Sequence, residues 1–327
     1  MNSRRPANNQ QCVTLPDCHR NPGTPIVTIA YIGNAEPACR YRHAAADLNI
    51  EMLVITPDSM WPAGATTETA NSFNAIDAID ALAARCAVIT VGYGCDERTY
   101  ANVVKAGPKL RPNPSTIRLA HDPLAARYLL QDSGYGVADF EEIDSGDTWA
   151  VTRFARQHGW PIRMSTARWG TIRPQIHLVR PYSELDQMWT DSGELWLLEA
   201  CEPLAPQVTV IIARRPSGHY MTYPVIASTQ ADFLAHRQLP ITQSITDRAI
   251  TTAKSIVDWL DTTGIATVKF VYHRDGRLLV DDFTYSPEGQ LLAGGRASNS
   301  LYAAHLRAIL DLPLEPIPIP TRTIAAS

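Results

Sequence analysis

Lys269, Asp281 and Asp282 are the residues whose types and spacing most plainly allow chemistry. They fall within Gly264 to Pro287, GIATVKFVYHRDGRLLVDDFTYSP. Ala266 to Tyr272 is rich in β-branched and aromatic residues, which predicts a strand. His273-Arg274-Asp275-Gly276 carries an Asp-Gly turn signal, and Leu278 to Tyr285 returns as the second strand. Carboxylates presented from both strands of a hairpin suit Mg²⁺, an oxygen-seeking ion. Here one strand supplies an ammonium instead. We expect a Lys269–Asp282 ion pair in place of a metal, with Asp282 as a lone surviving ligand the other reading.

The other reactive groups are dispersed. Glu36 lies at the end of the first predicted strand, where open α/β sheets bind ligands; the plainer reading is a helix cap. Arg296 follows two glycines, which suits an anion clamp or an ordinary surface loop. Cys39 begins the first helical region, where a thiolate is favoured, against a plain buried cysteine. His273 lies in the hairpin turn and reads as exposed. The six cysteines are scattered, unlike a disulfide framework. Cys12, Cys18 and His19 are close in sequence but lack a fourth ligand. The nine histidines show no zinc spacing, and no Ser/His/Asp set stands out.

The elements that must position these residues alternate. Pro25 to Gly33 is a nearly continuous apolar strand, Ala38 to Leu48 a helix and Glu51 to Ile55 a second strand. A helix over 74–85 and a strand over 87–91 follow, so a parallel sheet with crossover helices is expected. A Pro-rich run, KLRPNPS, closes that unit. Next come helices at 115–132 and 151–158, strands at 161–165 and 175–179, a short helix at 182–188 and a strand at 195–199. Antiparallel strands at 208–213 and 219–225 open a third unit. An amphipathic helix runs from Ile245 to Leu260 with Gly264 as its stop, then the hairpin, then a helix over 301–310. The expected divisions are a flexible arm (1–23), a Rossmann-like domain (24–112), a small mixed region (113–200) and a larger domain (201–327).

A chain of 327 residues with net charge −4 offers no footprint for nucleic acid or anionic membrane. No apolar run is long enough to cross a bilayer, and the N-terminal segment lacks the apolar core of a secretory signal. A cytoplasmic protein is expected.

The order of these segments resembles the ATP-grasp superfamily, and more narrowly the N5-carboxyaminoimidazole ribonucleotide synthetases. CAVITVGYGCDERTYANVVKAGPKLRPNPSTIRLAHDPLAARYLL, HYMTYPVIAS, GIATVKF, GRLLVDD and AAHLRAILDLPL carry the likeness, which spans about residues 25 to 315. The resemblance implies an α/β ATP-grasp fold with a Rossmann-like front, a small lid and an antiparallel domain, with ATP between the last two. It also implies a homodimer. The implied chemistry activates bicarbonate with ATP and Mg²⁺ and carboxylates the amine of 5-aminoimidazole ribonucleotide.

Set against that family, several positions depart. Lys269 stands where a Mg²⁺-binding glutamate would be, and Asp281-Asp282 where Asn-Glu would be. Ser165 replaces the lid lysine, and the loop 166–174 keeps only Gly170 and contains Trp169 and Pro174. Arg127 matches the earlier nucleotide lysine, Glu199 the acid near the adenine edge, and Gln207 the acid that holds the ribose. At the second-substrate turn, Asn34 and Glu36 replace a glycine and a glutamine. Arg307 is kept. The resulting expectation is a diverged relative that needs no cofactor and takes a small amine or nucleotide-like ligand in the cleft. Glu36, Lys269 and Asp282 would move protons, Asn34, Arg296 and Arg307 would hold substrate, and Arg127, Glu199 and Gln207 would line the former nucleotide site. The alternatives are a working ATP- and Mg²⁺-dependent carboxylate–amine ligase and a non-catalytic partner protein.

Overall fold

The structure is a computed structural model that describes residues 27–55, 82–92, 97–167, 176–181, 185, 189, 194–202, 205–229, 239–287 and 295–317. Three sheets organise them. The first contains β1 (Thr28–Ile32), β2 (Glu51–Ile55) and β3 (Val88–Val91), parallel and in the order β2-β1-β3. Helix α1 (Ala35–Asp47) connects β1 to β2. β1 and β3 are almost wholly buried, which explains their nearly continuous apolar sequences, broken only by Thr28 and Thr90. The expected arm lies outside the described residues, as does all of the helix expected over 74–85 except residues 82–85.

Helix α2 (Glu97–Val103) and a 3-10 segment (Val104–Lys109) lead to a correction. Where the sequence predicts one helix over 115–132, there are two: α3 (Pro114–His121) and α4 (Pro123–Asp132). The Asp122 side chain accepts the Ala125 N–H at 2.9 Å, and Pro123 cannot donate back into α3. One residue pair therefore ends a helix and starts the next. Asn113 caps α3 in the same way, accepting from the Thr116 N–H at 2.9 Å.

The second sheet is antiparallel, ordered β4 (Phe140–Asp144), β7 (Leu195–Ala200), β5 (Ile162–Thr166), β6 (Ile176–Val179). Helix α5 (Thr148–His158) covers one face, packing Val151, Phe154 and Ala155 on Ile162, Met164, Trp196 and Leu198. Of the short helix expected over 182–188, only residue 185 is described.

The third sheet runs β10 (Ile226–Ser228), β8 (Gln207–Arg214), β11 (Gly264–Tyr272), β12 (Leu278–Thr284), with β9 (Tyr220–Thr222) paired to β8. The single strand expected over 219–225 is divided, because Pro224 has no N–H for the ladder. Gly264, expected as a helix stop, is instead the first residue of β11. Helix α6 (Gln243–Trp259) lays Ala249, Ala253, Ile256 and Val257 into the core beneath this sheet. Helix α7 (Gly295–Ile309) turns back to the first sheet, where Tyr302, Leu306 and Ile309 join Ile29, Tyr31 and Tyr41. Among the described residues, no helix is long and apolar enough to cross a membrane.

Candidate functional site

The hairpin forms as its sequence predicts, with one irregularity that matters. Lys269 pairs with Asp282 and Phe270 with Val280, so Asp281 is an extra residue on β12. Such a bulge re-aims side chains. Here it keeps Val280 and Phe283 in the core while both aspartates stay partly exposed. Ala266, Val268 and Phe270 fill the core face of β11, and Lys269 alternates to the other face. Its Nζ lies 3.1 Å from Asp282 Oδ2.

The second sheet presents its own charges. Ile162 and Met164 of β5 and Trp196 and Leu198 of β7 face α5, so Arg163 and Glu199 alternate to the opposite face. The two are register partners across the ladder. Arg163 Nε donates to Glu199 Oε2 at 2.8 Å, and its Nη1 donates to Asp281 Oδ1 at 2.6 Å. Arg127 arrives from α4. Its Nε donates to Glu199 Oε1 at 2.6 Å and its Nη2 to the Asp281 carbonyl oxygen at 2.7 Å. Two arginines thus hold one glutamate and reach one aspartate, tying the second sheet to the third.

Electrostatics follow from the packing. Burial alone would raise Glu199, but Arg127 and Arg163 outweigh it and hold the carboxyl at about 2. Burial works against the charge of Arg163 as well, yet Asp281 and Glu199 raise its pKa well above the ordinary value. For Asp282, whose side chain is 46% exposed, crowding by the surrounding protein opposes ionisation, and the Lys269 ammonium overrides it and lowers the pKa. Three cations and three carboxylates therefore balance in one network.

The expected site residues divide. Lys269, Asp282, Arg127 and Glu199 come together. Gln207 opens β8, opposite Val271 of β11 and Ser228 of β10. Arg307 lies elsewhere: its Nη1 pairs with Glu315 at 2.7 Å and donates to the Pro313 carbonyl, engaged by the segment after α7. Asn34 is the N-cap residue of α1 and makes no side-chain cap bond. Glu36 and Arg296 fall on α1 and α7, but their side chains lie outside the described residues. The loop 168–175 also lies outside them. His273, expected to be exposed, is half-buried between Glu202 (3.4 Å) and Asp275 (2.9 Å). Cys39 is half-buried on α1.

Sequence reasoning missed Arg163. The available signal was a lone charge inside the apolar strand IRMST, two residues before Ser165 and so on the same face. A cation is thus retained beside the position where the resemblance calls for a lysine.

The donor set does not suit Mg²⁺. Among the described residues, no group of three or more His, Cys, Asp or Glu gathers to hold a metal. Asp281 and Asp282 are each already met by a cation, and an oxygen-seeking dication would have to displace both.

A family profile described as "ATP-grasp domain" matches residues 128–287. N5-carboxyaminoimidazole ribonucleotide synthase of Mycobacterium tuberculosis is 26% identical over 312 residues, covering 89% of this chain and 71% of that one. Phosphoribosylaminoimidazole carboxylase of Saccharomyces cerevisiae is 23% identical over 304 residues, covering 88% and 52%. Among solved structures, N5-carboxyaminoimidazole ribonucleotide synthetase of Thermotoga maritima superposes with a TM-score of 0.68 at 20% identity, covering 90% of this chain and 78% of that one. The Aspergillus clavatus synthase in complex with ADP and 5-aminoimidazole ribonucleotide gives 0.70 at 18%, covering 92% and 81%. At these identities the structural likeness establishes the fold.

Proposed function

We propose that this chain, whose residues 128–287 match the ATP-grasp domain and which resembles the N5-carboxyaminoimidazole ribonucleotide synthases along most of its length, binds a small-molecule ligand in the cleft between its second and third sheets without Mg²⁺-dependent ATP turnover. The Lys269–Asp282 pair carries this reading. An ammonium fixed 3.1 Å from the carboxylate repels a dication as well as failing to coordinate it. The ligand is amine-bearing or nucleotide-like, and Lys269 and Asp282 are the groups placed to exchange a proton with it.

A second reading is favoured by the relatives. Their likeness over 89% of the chain supports a working ATP-dependent carboxylate–amine ligase whose nucleotide is held by different groups. A coupled assay of ADP release separates the two. With ATP, Mg²⁺, bicarbonate and 5-aminoimidazole ribonucleotide present, the first reading expects no release above background. Steady release that requires all four components would establish the second. We further expect a homodimer, which light scattering of the purified protein checks, and a cytoplasmic location, which fractionation of the source cells checks.

A further inference from the structure

The second sheet and α5 have an apolar core of their own, built from Val151, Phe154, Ile162, Met164, Trp196 and Leu198. A different core runs from the first sheet to the third, taking in Ala30, Ile89, Ala126, Val210, Val268 and Phe283. Two separately cored bodies therefore face each other across the cleft. Bodies joined without a large apolar interface move against each other by default.

The chain crosses between them twice, at neighbouring points. Before the first crossing it is held to β12: the Val280 N–H donates to the Gly136 carbonyl at 2.7 Å, and Val137 bridges to Val280. After the second it is held to the hairpin, by the Tyr272 N–H on the Pro206 carbonyl at 2.9 Å and by Arg274 Nε on Glu202 at 2.8 Å. Between these anchors the Ala200 N–H donates to the Asp139 carbonyl at 2.9 Å, so the crossings run side by side. Two short adjacent crossings have the form of a hinge. Tyr128 of α4 stacks edge-on against Phe140 next to them, at 5.0 Å between centroids.

Across the cleft, each body offers one arginine and one carboxylate to the other. Arg127 and Asp281 belong to the body that carries α4 and β12, Arg163 and Glu199 to the second sheet. Arg127 holds Glu199 at 2.6 Å, and Arg163 holds Asp281 at 2.6 Å. The Glu199 and Asp281 side chains are 3% and 11% exposed, so salt screens these pairs little. A buried ion pair comes close to cancelling its own desolvation. When the bodies part, all four groups regain water together, so the pairs hold the cleft shut and still allow release.

We infer that Arg127–Glu199 and Arg163–Asp281 form a reciprocal clasp that keeps the cleft closed in the ligand-free protein, and that a ligand enters when the clasp opens. This deepens the reading of that cleft as a ligand site. The test needs no ligand, so the clasp and that reading can fail separately.

Cys201 lies in the second crossing and is half-buried. Its alkylation by iodoacetamide, followed peptide by peptide with mass spectrometry, reports opening at the hinge. Cys86, buried in the core shared by the first and third sheets, reports global unfolding. Burial raises the Cys201 pKa and Arg163 opposes that rise, so loss of Arg163 cannot itself activate the thiol. In Arg163→Met, Cys201 should react about tenfold faster than in the wild type, with Cys86 unchanged. Arg163→Lys, which keeps the charge but not the two-pronged donor, should fall between. An unchanged Cys201 rate in folded Arg163→Met would overturn the inference. So would a parallel rise at Cys201 and Cys86, the mark of global destabilisation alone. If Arg163→Met does not fold, Arg163→Lys carries the same comparison, with the same two outcomes against it.

Discussion

Arg163 on β5 and Asp281 on β12 lie 2.6 Å apart, and that bond joins two separate sheets. Removing one partner of such a largely buried pair leaves a charge without full compensation. Arg163→Met should therefore cost about 3 kcal/mol of stability. Replacing both ends with apolar residues, Arg163→Met with Asp281→Leu, should restore part of that loss, because the stranded carboxylate is gone. Urea denaturation of the two variants makes the comparison.

Glu199 gives the acid side of the stability profile. Its carboxyl sits at about 2 in the fold, below an ordinary glutamate near roughly 4.3. As pH falls, the unfolded chain takes up this proton first. The stabilisation is therefore complete above about pH 4.3 and is lost as pH falls toward 2, amounting to about 3 kcal/mol. Glu199→Gln should be less stable at neutral pH, and its stability should fall less steeply below about pH 4.3. Denaturant melts from neutral pH down to about pH 2.5 read both effects.

Two buried histidines act at higher pH. Burial lowers His121 to about 4 and His305 to about 3, so both are neutral in the fold at pH 5. The unfolded chain protonates them near roughly 6.5. Stability from each is present above that pH and declines as pH falls through the folded values, by about 1.4 kcal/mol per pH unit. Imidazole NMR at pH 5 should report both rings neutral, and His305→Gln should flatten the decline between about pH 6 and pH 4.

Much of the fold is legible in the sequence because period-2 and period-3.6 patterns carry it. α6 and the hairpin announce themselves this way, and the buried parallel strands as nearly continuous apolar runs. The break at Asp122 is hidden because Pro123 is acceptable in the first turn of a helix, so the apolar pattern of α3 runs straight into that of α4. The site is legible only along one hairpin. Lys269 and Asp282 face each other because a short turn sets their register. Arg163 joins Asp281 across 118 residues of sequence, and no local pattern encodes that meeting. Arg307 shows the opposite failure: a residue matched by position is engaged by Glu315.

Lys269 is the residue that makes the metal reading hard, so reversing it should make a site. Lys269→Glu places a third carboxylate beside Asp281 and Asp282. Without metal, the added like charge should destabilise the fold. With Mn²⁺, electron paramagnetic resonance should show bound ion in the variant and none in the wild type at the same concentration.

Isothermal titration of the wild-type protein with ATP tests the central claim most directly, once with excess Mg²⁺ and once with EDTA. We predict traces that do not differ between the two conditions, whether or not the nucleotide binds. Micromolar binding that appears only with Mg²⁺ would contradict a cleft in which Lys269 and Arg163 have taken the place of the metal.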